Sequence, residues 1–198
     1  MAVGKQSSLT IAVLALLAEG PLHVYGMQRL IKERSMDRVV NVRNRSGLYA
    51  AIERLVRDGL IVEWGTERDA RHPERTLYEL TEAGRETLHA WLRETVTEPA
   101  RGFPPFPAAV SFLHLLDSGE TARCLRIRAE AVEGEIATAT ALLTHSTASG
   151  VARLHLLESE YLLATLTAEL AWIRGVIDDI ERNDLSWGHY DGQTDHHD

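Results

Sequence analysis

Apolar residues recur along this chain with a helical period, then briefly with a period of two, then with a helical period again. Residues 8–19 form a largely apolar run closed by Gly20-Pro21, which predicts a buried first helix with a Gly-then-Pro stop. Tyr25, Met27, Leu30 and Ile31 follow at helical spacing over about 23–34, with Arg29, Lys32 and Glu33 toward water. Residues 35–45 lack such a period, and Val39, Val40 and Val42 disfavour a helix, so they read as a connection. Over 46–58, Leu48, Ile52, Leu55 and Val56 fall on one side of a third helix, while Arg43, Arg45, Tyr49, Arg54 and Arg57 lie beside it or on its other side. Then the period drops. Residues 60–64 and 75–80 read as the two strands of a hairpin, with Arg68, Arg71, His72 and Arg75 on or near its polar loop. Thr81 caps a fourth helix running toward Glu98.

Residues 99–107 contain four prolines in nine positions, which predicts no regular helix and a domain boundary. Phe103 and Phe106 read as pins holding this linker to a domain surface rather than as part of a polyproline ligand. Beyond it the pattern is helical throughout: 108–116, then 118 to about 144 with Ser118 as cap, then about 151–182. The middle helix repeats Leu125, Ala129, Val132, Ile136, Ala139 and Leu143. The last repeats Leu163, Leu166, Leu170, Ile173, Ile177 and Ile180 as a coiled-coil seam, and adds a small-residue stripe of Tyr161, Ala164, Ala168, Ala171 and Gly175. A helix of about 32 residues spans roughly 48 Å. Two stripes call for two partners, one of them a second copy of the chain. The reading is a two-fold homodimer with Leu163, Leu166, Leu170, Ile173 and Ile177 at the interface, and the alternative is an antiparallel helical pair within one chain.

Three helices followed by a hairpin make a winged helix-turn-helix, whose third helix enters the major groove while the wing touches backbone or minor groove. The fold expected is therefore mainly α with a small β-hairpin wing. Residues 1–98 form the DNA-binding domain, 99–107 the linker, 108–183 a helical dimerisation domain that also responds to any effector, and 184–198 a polar, disordered tail.

The net charge of −8 at first argues against nucleic acid, yet its distribution points the other way. Residues 1–98 hold 14 basic and 14 acidic groups, and the remaining 100 hold 7 against 15. Within the neutral half, residues 29–57 carry eight basic groups and three acidic ones, concentrated around the third helix. The single cysteine, Cys124, excludes a disulfide framework or a cysteine-cluster metal site and suits a reducing cytoplasm. Lys5 and the run after it loosely resemble a secretory signal, but about ten apolar residues are too few to span a bilayer, so a soluble, cytoplasmic protein is expected.

As DNA contacts we take Arg43, Arg45, Tyr49 and Arg54 at the third helix, because arginine is the usual reader of guanine and the start of the helix comes nearest to bases and phosphates. Arg71, His72 and Arg75 join them from the wing as phosphate contacts. Trp91, Phe112 and Trp172 are candidates to line an effector cavity, against the ordinary reading as core aromatics. His189, His196 and His197 lie among terminal aspartates and read as a polar tail rather than a metal site. No phosphate-binding glycine loop, nucleophile motif or His/Glu ligand pair is present, so neither an enzyme nor a cofactor is expected. The rival reading is an all-helical interaction adaptor that has lost DNA binding, against which the arginine-rich third helix speaks.

Four ordered blocks then carry a resemblance. Leu22-His23-Val24-Tyr25-Gly26-Met27-Gln28-Arg29-Leu30-Ile31, Ser46-Gly47-Leu48-Tyr49, Leu55-Val56-Arg57-Asp58-Gly59-Leu60-Ile61 and Arg75-Thr76-Leu77-Tyr78-Glu79-Leu80-Thr81-Glu82-Ala83-Gly84 resemble the PadR family of bacterial transcriptional regulators. The second half is similar, by architecture alone, to the helical C-terminal domain of larger, virulence-activator-like members. The resemblance implies a homodimer on a pseudo-palindromic operator in double-stranded DNA, usually a repressor, often released by a small aromatic or drug-like effector. It also implies a backbone contact for Tyr25. Family members commonly carry Gly where Val24 stands, and Gly-Ser or Ala-Ser where Ser46-Gly47 stands. Gly47 costs helix propensity of about 1 kcal/mol and removes a hydroxyl contact that Ser46 is placed to supply. Two recognition helices about 34 Å apart, one DNA turn, would give the selectivity that one modestly charged helix lacks.

Overall fold

The computed structural model describes residues 6–42, 45–67, 75–99 and 104–187, and for Arg45 and Glu67 the backbone only. The chain divides into two compact units, Met1–Arg101 and Gly102–Asp198. The division falls inside the proline-rich segment.

In the first unit, α1 (Ser8–Leu17) starts from a reciprocal cap: Ser7 Oγ accepts from the Thr10 N–H at 3.2 Å, and Thr10 Oγ1 accepts from the Ser7 N–H at 2.9 Å. Next come β1 (Leu22–His23), α2 (Val24–Glu33), a single 3-10 turn at Met36–Arg38, and α3 (Arg45–Arg57). β2 (Ile61–Glu67), β3 (Arg75–Leu80) and α4 (Glu82–Thr97) complete the unit. The sheet order is β1-β3-β2, antiparallel throughout, with Leu22 opposite Tyr78 and Ile61 opposite Leu80. β1 is a correction to the sequence reading. Two residues are too few to show a period, and Leu22 and His23 are strand only because β3 pairs with them. The core joins Leu14 and Leu16 of α1, Met27 and Ile31 of α2, Leu48 and Ile52 of α3, Ile61 of β2, and Leu88 and Trp91 of α4. Each such side chain contributes roughly 2 kcal/mol by leaving water.

A tight joint ties α3 to α4. Gly59, at φ +70°, turns the chain at the end of α3 while the Leu60 N–H returns to Leu55 O at 2.9 Å, a left-handed helix stop that suits glycine. The Thr81 hydroxyl shares its one proton between Gly59 O (2.8 Å) and Leu60 O (3.0 Å) and accepts from the Gly84 N–H (2.9 Å), capping α4. Gly84 lies against the same carbonyl: a Cβ there would stand 2.0 Å from Leu60 O. The Thr81-Glu82-Ala83-Gly84 block thus has a local physical cause.

The second unit opens with α5 (Pro105–Val110), which corrects the expectation of a helix-free linker. Pro104 is its N-cap, and Pro105 and Pro107 lie in its first turn, where the missing N–H groups have no intrahelical partner to lose. α6 (Ser118–Ala148) is capped by Asp117, which accepts from the Glu120 N–H at 2.7 Å, rather than by Ser118. A 3-10 turn at Arg153–Leu156 precedes α7 (Leu157–Glu181), so the last helix has 25 residues and α6, with 31, is the longer.

α6 and α7 run antiparallel, as the exposed pairs Arg126–Glu181 (2.5 Å) and Arg174–Glu133 (2.7 Å) require. Ala122, Leu125, Ala129 and Val132 of α6 close against Leu166, Leu170, Ile173, Ile177 and Ile180 of α7. This corrects the interface assignment. Leu166, Leu170, Ile173 and Ile177 are buried within the single chain, where α6 already fills the seam, and Leu163 is half-buried. The second stripe faces outward: Tyr161, Ala164, Ala168, Ala171 and Gly175 are all exposed. The start of the expected tail is also packed, since Trp187 lies on this core and its indole N–H donates to Leu116 O at 2.7 Å.

Candidate nucleic-acid interface

α3 buries Leu48, Ala51, Ile52 and Leu55, with Val56 half-buried, and so turns Ser46, Tyr49, Ala50, Glu53 and Arg57 to solvent along one side. Tyr49 keeps 52% of its surface free. This is the inward and outward division that the spacing predicts. Arg54 lies at its edge, half-buried, with Nε reaching back to Ala50 O at 3.4 Å. Arg57 pairs loosely with its neighbour Asp58 at 3.8 Å. Glu53, absent from the sequence candidates, stands in the middle of the exposed row and could accept from a cytosine amino group or repel a phosphate.

Part of the local positive charge is neutralised within the chain. Arg29 pairs with Glu33 at 3.4 Å. Arg34 makes a two-pronged contact with Glu19 at 2.5 and 2.7 Å, and that hydrogen bond holds its guanidinium pKa above the ordinary value. The first pair lies along α2 itself, and the second ties the end of α2 to the segment that follows α1.

The second cluster lies at the start of α2 and the base of the wing. His23 caps α2, its Nδ1 accepting from the Gly26 N–H at 2.6 Å. Tyr25 follows with 52% of its surface exposed, and the Arg75 guanidinium of β3 sits 5.2 Å from the centre of its ring. Arg75 Nη1 also lies 3.4 Å from His23 Nε2. Tyr25 and Arg75, expected as separate contacts, are therefore one group. His23 is not among the sequence candidates, because capping by an imidazole has no spacing signature.

Tyr78 is a further residue outside the sequence candidates. On the central strand, opposite both Leu22 and Glu63, its phenol is pushed up by burial and then by Glu63, Tyr49 and Glu53. It stays a protonated hydroxyl beside the outward row of α3. On β2 the bulge between Glu63 and Gly65 leaves Trp64 59% exposed.

Arg43, Arg71 and His72 lie outside the described residues, as do Phe103, His189, His196 and His197, and Arg45 is described by its backbone alone, in the first position of α3. The proposed effector aromatics do not act alike. Trp91 is a core side chain of the first unit, 6% exposed, which corrects its assignment to a cavity. In the second unit Phe112 is exposed beside His114, and Trp172 meets Phe106 edge-on at 6.0 Å, while the Arg128 guanidinium lies over the Phe106 ring at 3.5 Å. Among the described residues no group of His, Cys, Asp and Glu could hold a metal ion, and no helix is long and apolar enough to cross a membrane.

Comparison with known proteins gives this geometry its context. Residues 13–90 match the profile of the Transcriptional regulator PadR-like family, a family of regulators and not of enzymes. Curated protein sequences give no match. Among solved structures, Bacillus subtilis PadR in complex with operator DNA is similar at a TM-score of 0.73 and 21% identity, covering 88% of this chain and 99% of that one. The same protein in complex with p-coumaric acid gives 0.68 and 18%, covering 87% and 98%. The Vibrio cholerae virulence activator AphA gives 0.67 and 16%, covering 89% and 99%.

Proposed function

We propose that this chain, which belongs through residues 13–90 to the PadR-like family of transcriptional regulators, works as a homodimer that reads a pseudo-palindromic operator and represses until a small aromatic or drug-like effector releases it. The observation that carries the reading is the outward row of α3, Ser46, Tyr49, Glu53 and Arg57, held on a winged-helix core with Tyr25 and Arg75 beside the wing. Base edges are read by α3, with Arg43, Arg45 and Arg54 as its basic contacts, and phosphates by Tyr25, Arg75 and the wing's Arg71 and His72. The solved PadR neighbours, one on operator DNA and one with p-coumaric acid, support both halves of the proposal by analogy of fold.

The dimer face falls on the exposed stripe of α7 that includes Tyr161, Ala164, Ala168, Ala171 and Gly175, because the large apolar residues of that helix are already used within the chain. Of the effector candidates, Phe112 and Trp172 keep free surface to offer a ligand. The all-helical adaptor does not fit a chain with a three-stranded sheet. Footprinting on the DNA flanking the chain's own gene tests the function. The expected result is a protected site of two half-sites about 10 base pairs apart, centre to centre. A protein that is monomeric by light scattering at micromolar concentration, or that protects no site, would contradict it.

A further inference from the structure

We infer that His23 is a positioning residue for DNA binding: by capping α2 and seating the Arg75 guanidinium, it presents Tyr25 and Arg75 as one phosphate-contacting unit. The inference rests on the DNA-binding reading and adds to it a residue that would touch no DNA itself. Its basis is the bonding capacity of one imidazole. Nδ1 accepts the Gly26 N–H at 2.6 Å, so the neutral ring carries its proton on Nε2. An arginine can only donate, so Arg75 Nη1, 3.4 Å from that same nitrogen, makes no hydrogen bond to it, and the ring edge only bounds the space the guanidinium can occupy. What attracts Arg75 is the Tyr25 ring, 5.2 Å from its guanidinium carbon, and the His23 and Tyr25 rings lie 6.1 Å apart at 42°. The guanidinium thus has an aromatic floor in Tyr25 and a wall in His23, and its remaining N–H groups keep their freedom to meet a phosphate.

Gly26 completes the arrangement. A Cβ on it would stand 3.1 Å from two atoms of the imidazole, so a side chain at this place would require the ring to give by a few tenths of an ångström. The cluster also bridges two elements far apart in sequence: His23 and Tyr25 belong to the β1–α2 corner, Arg75 to β3. Through it, the base of the wing and the start of α2 are set relative to each other within the first unit.

Capping and seating are separated by His23→Ser. Serine is a strong N-cap, so this variant keeps α2 and should unfold within a few degrees of the wild-type temperature, about what exchange of one good cap for another allows. It removes the wall beside Arg75. With a 30-base-pair duplex of mixed sequence at low salt as the probe, affinity should fall about fivefold, the loss of one ordered charged contact. Arg75→Met should lose a similar factor, and the double variant no more than the larger single loss, because both changes act through one guanidinium. In DNA-free protein, the Arg75 side-chain protons should be shielded by the Tyr25 ring in the wild type and move toward ordinary values in His23→Ser. Wild-type affinity in His23→Ser, or losses that multiply in the double variant, would overturn the inference. If the wild type does not bind the duplex while the Arg75 shielding still depends on His23, the DNA-binding reading fails and takes the proposed purpose with it, leaving only the local geometry.

Discussion

The two units of this chain are held together in different ways. The first draws its core from four helices and a strand, and its joints depend on single atoms: one carbonyl, Leu60 O, receives the Thr81 N–H and hydroxyl and leaves no room for a Cβ on Gly84. The second is a long helical pair whose contact repeats along its length, closed by one apolar seam and flanked by exposed ion pairs. A one-atom change should therefore be felt at a joint in the first unit and absorbed on the helical pair of the second. The proposed DNA surface, with α3, Tyr25 and Arg75, lies in the unit with the close tolerances, and the proposed dimer face in the unit with the repeating contact.

Gly84→Ala should have the largest effect. Its methyl group meets backbone, which cannot swing away, so the first unit should lose about 3 kcal/mol or more, read from urea unfolding. The same substitution at Gly134, in the interior of α6 with nothing within 4 Å, should gain up to about 1 kcal/mol from helix propensity. Equal effects at the two sites would erase the distinction. Next in size, Ile173→Ala removes the one fully buried side chain of the α7 seam and should cost about 3 kcal/mol without affecting the first unit's melt. Smaller and opposite in sign is Thr121→Val. The Thr121 hydroxyl is buried with no hydrogen-bond partner among the described residues, so the isosteric change should add about 1 kcal/mol by calorimetry.

The smallest effect is electrostatic. The Arg153 guanidinium, hydrogen-bonded to Glu160 through two contacts of 2.9 Å, holds that carboxyl below its usual range. A carboxylate with a lowered folded-state pKa stabilises above its ordinary range and loses that contribution as pH falls through the lowered value. Because Arg153 is exposed and Glu160 only half-buried, solvent screens the pair, and Glu160→Gln should be slightly less stable than the wild type at pH 7 and no different in acid, in melts of the two proteins compared side by side.

Legibility in the sequence follows the same physics. The stripe Leu48, Ile52 and Leu55, the strand 75–80 and the Thr81 cap are readable because period and capping are local properties, and the structure agrees at each. The seam from Leu166 to Ile177 is equally readable as a stripe, but a period names no partner, so an intrachain seam looks like one between subunits. Pro105 and Pro107 suggest a helix break because composition does not say which turn a proline occupies. At the proposed interface, Tyr25, Tyr49 and Arg75 are readable as residue types on predicted faces, and the cluster of Tyr25 and Arg75 with His23 is not. It depends on β1 pairing with β3 across more than fifty positions.

Whether the outward row of α3 is a DNA surface, as proposed, is tested most directly by charge placement. Binding of a mixed-sequence duplex should be measured against salt for the wild type, for Tyr49→Glu on α3, and for Arg123→Glu on the exposed face of α6. The prediction is that wild-type affinity falls steeply with salt, by a log–log slope of about −0.9 per phosphate neutralised. Tyr49→Glu should lose binding at least tenfold, and Arg123→Glu should bind as the wild type does. Equal losses in the two variants, or an unchanged Tyr49→Glu, would contradict it.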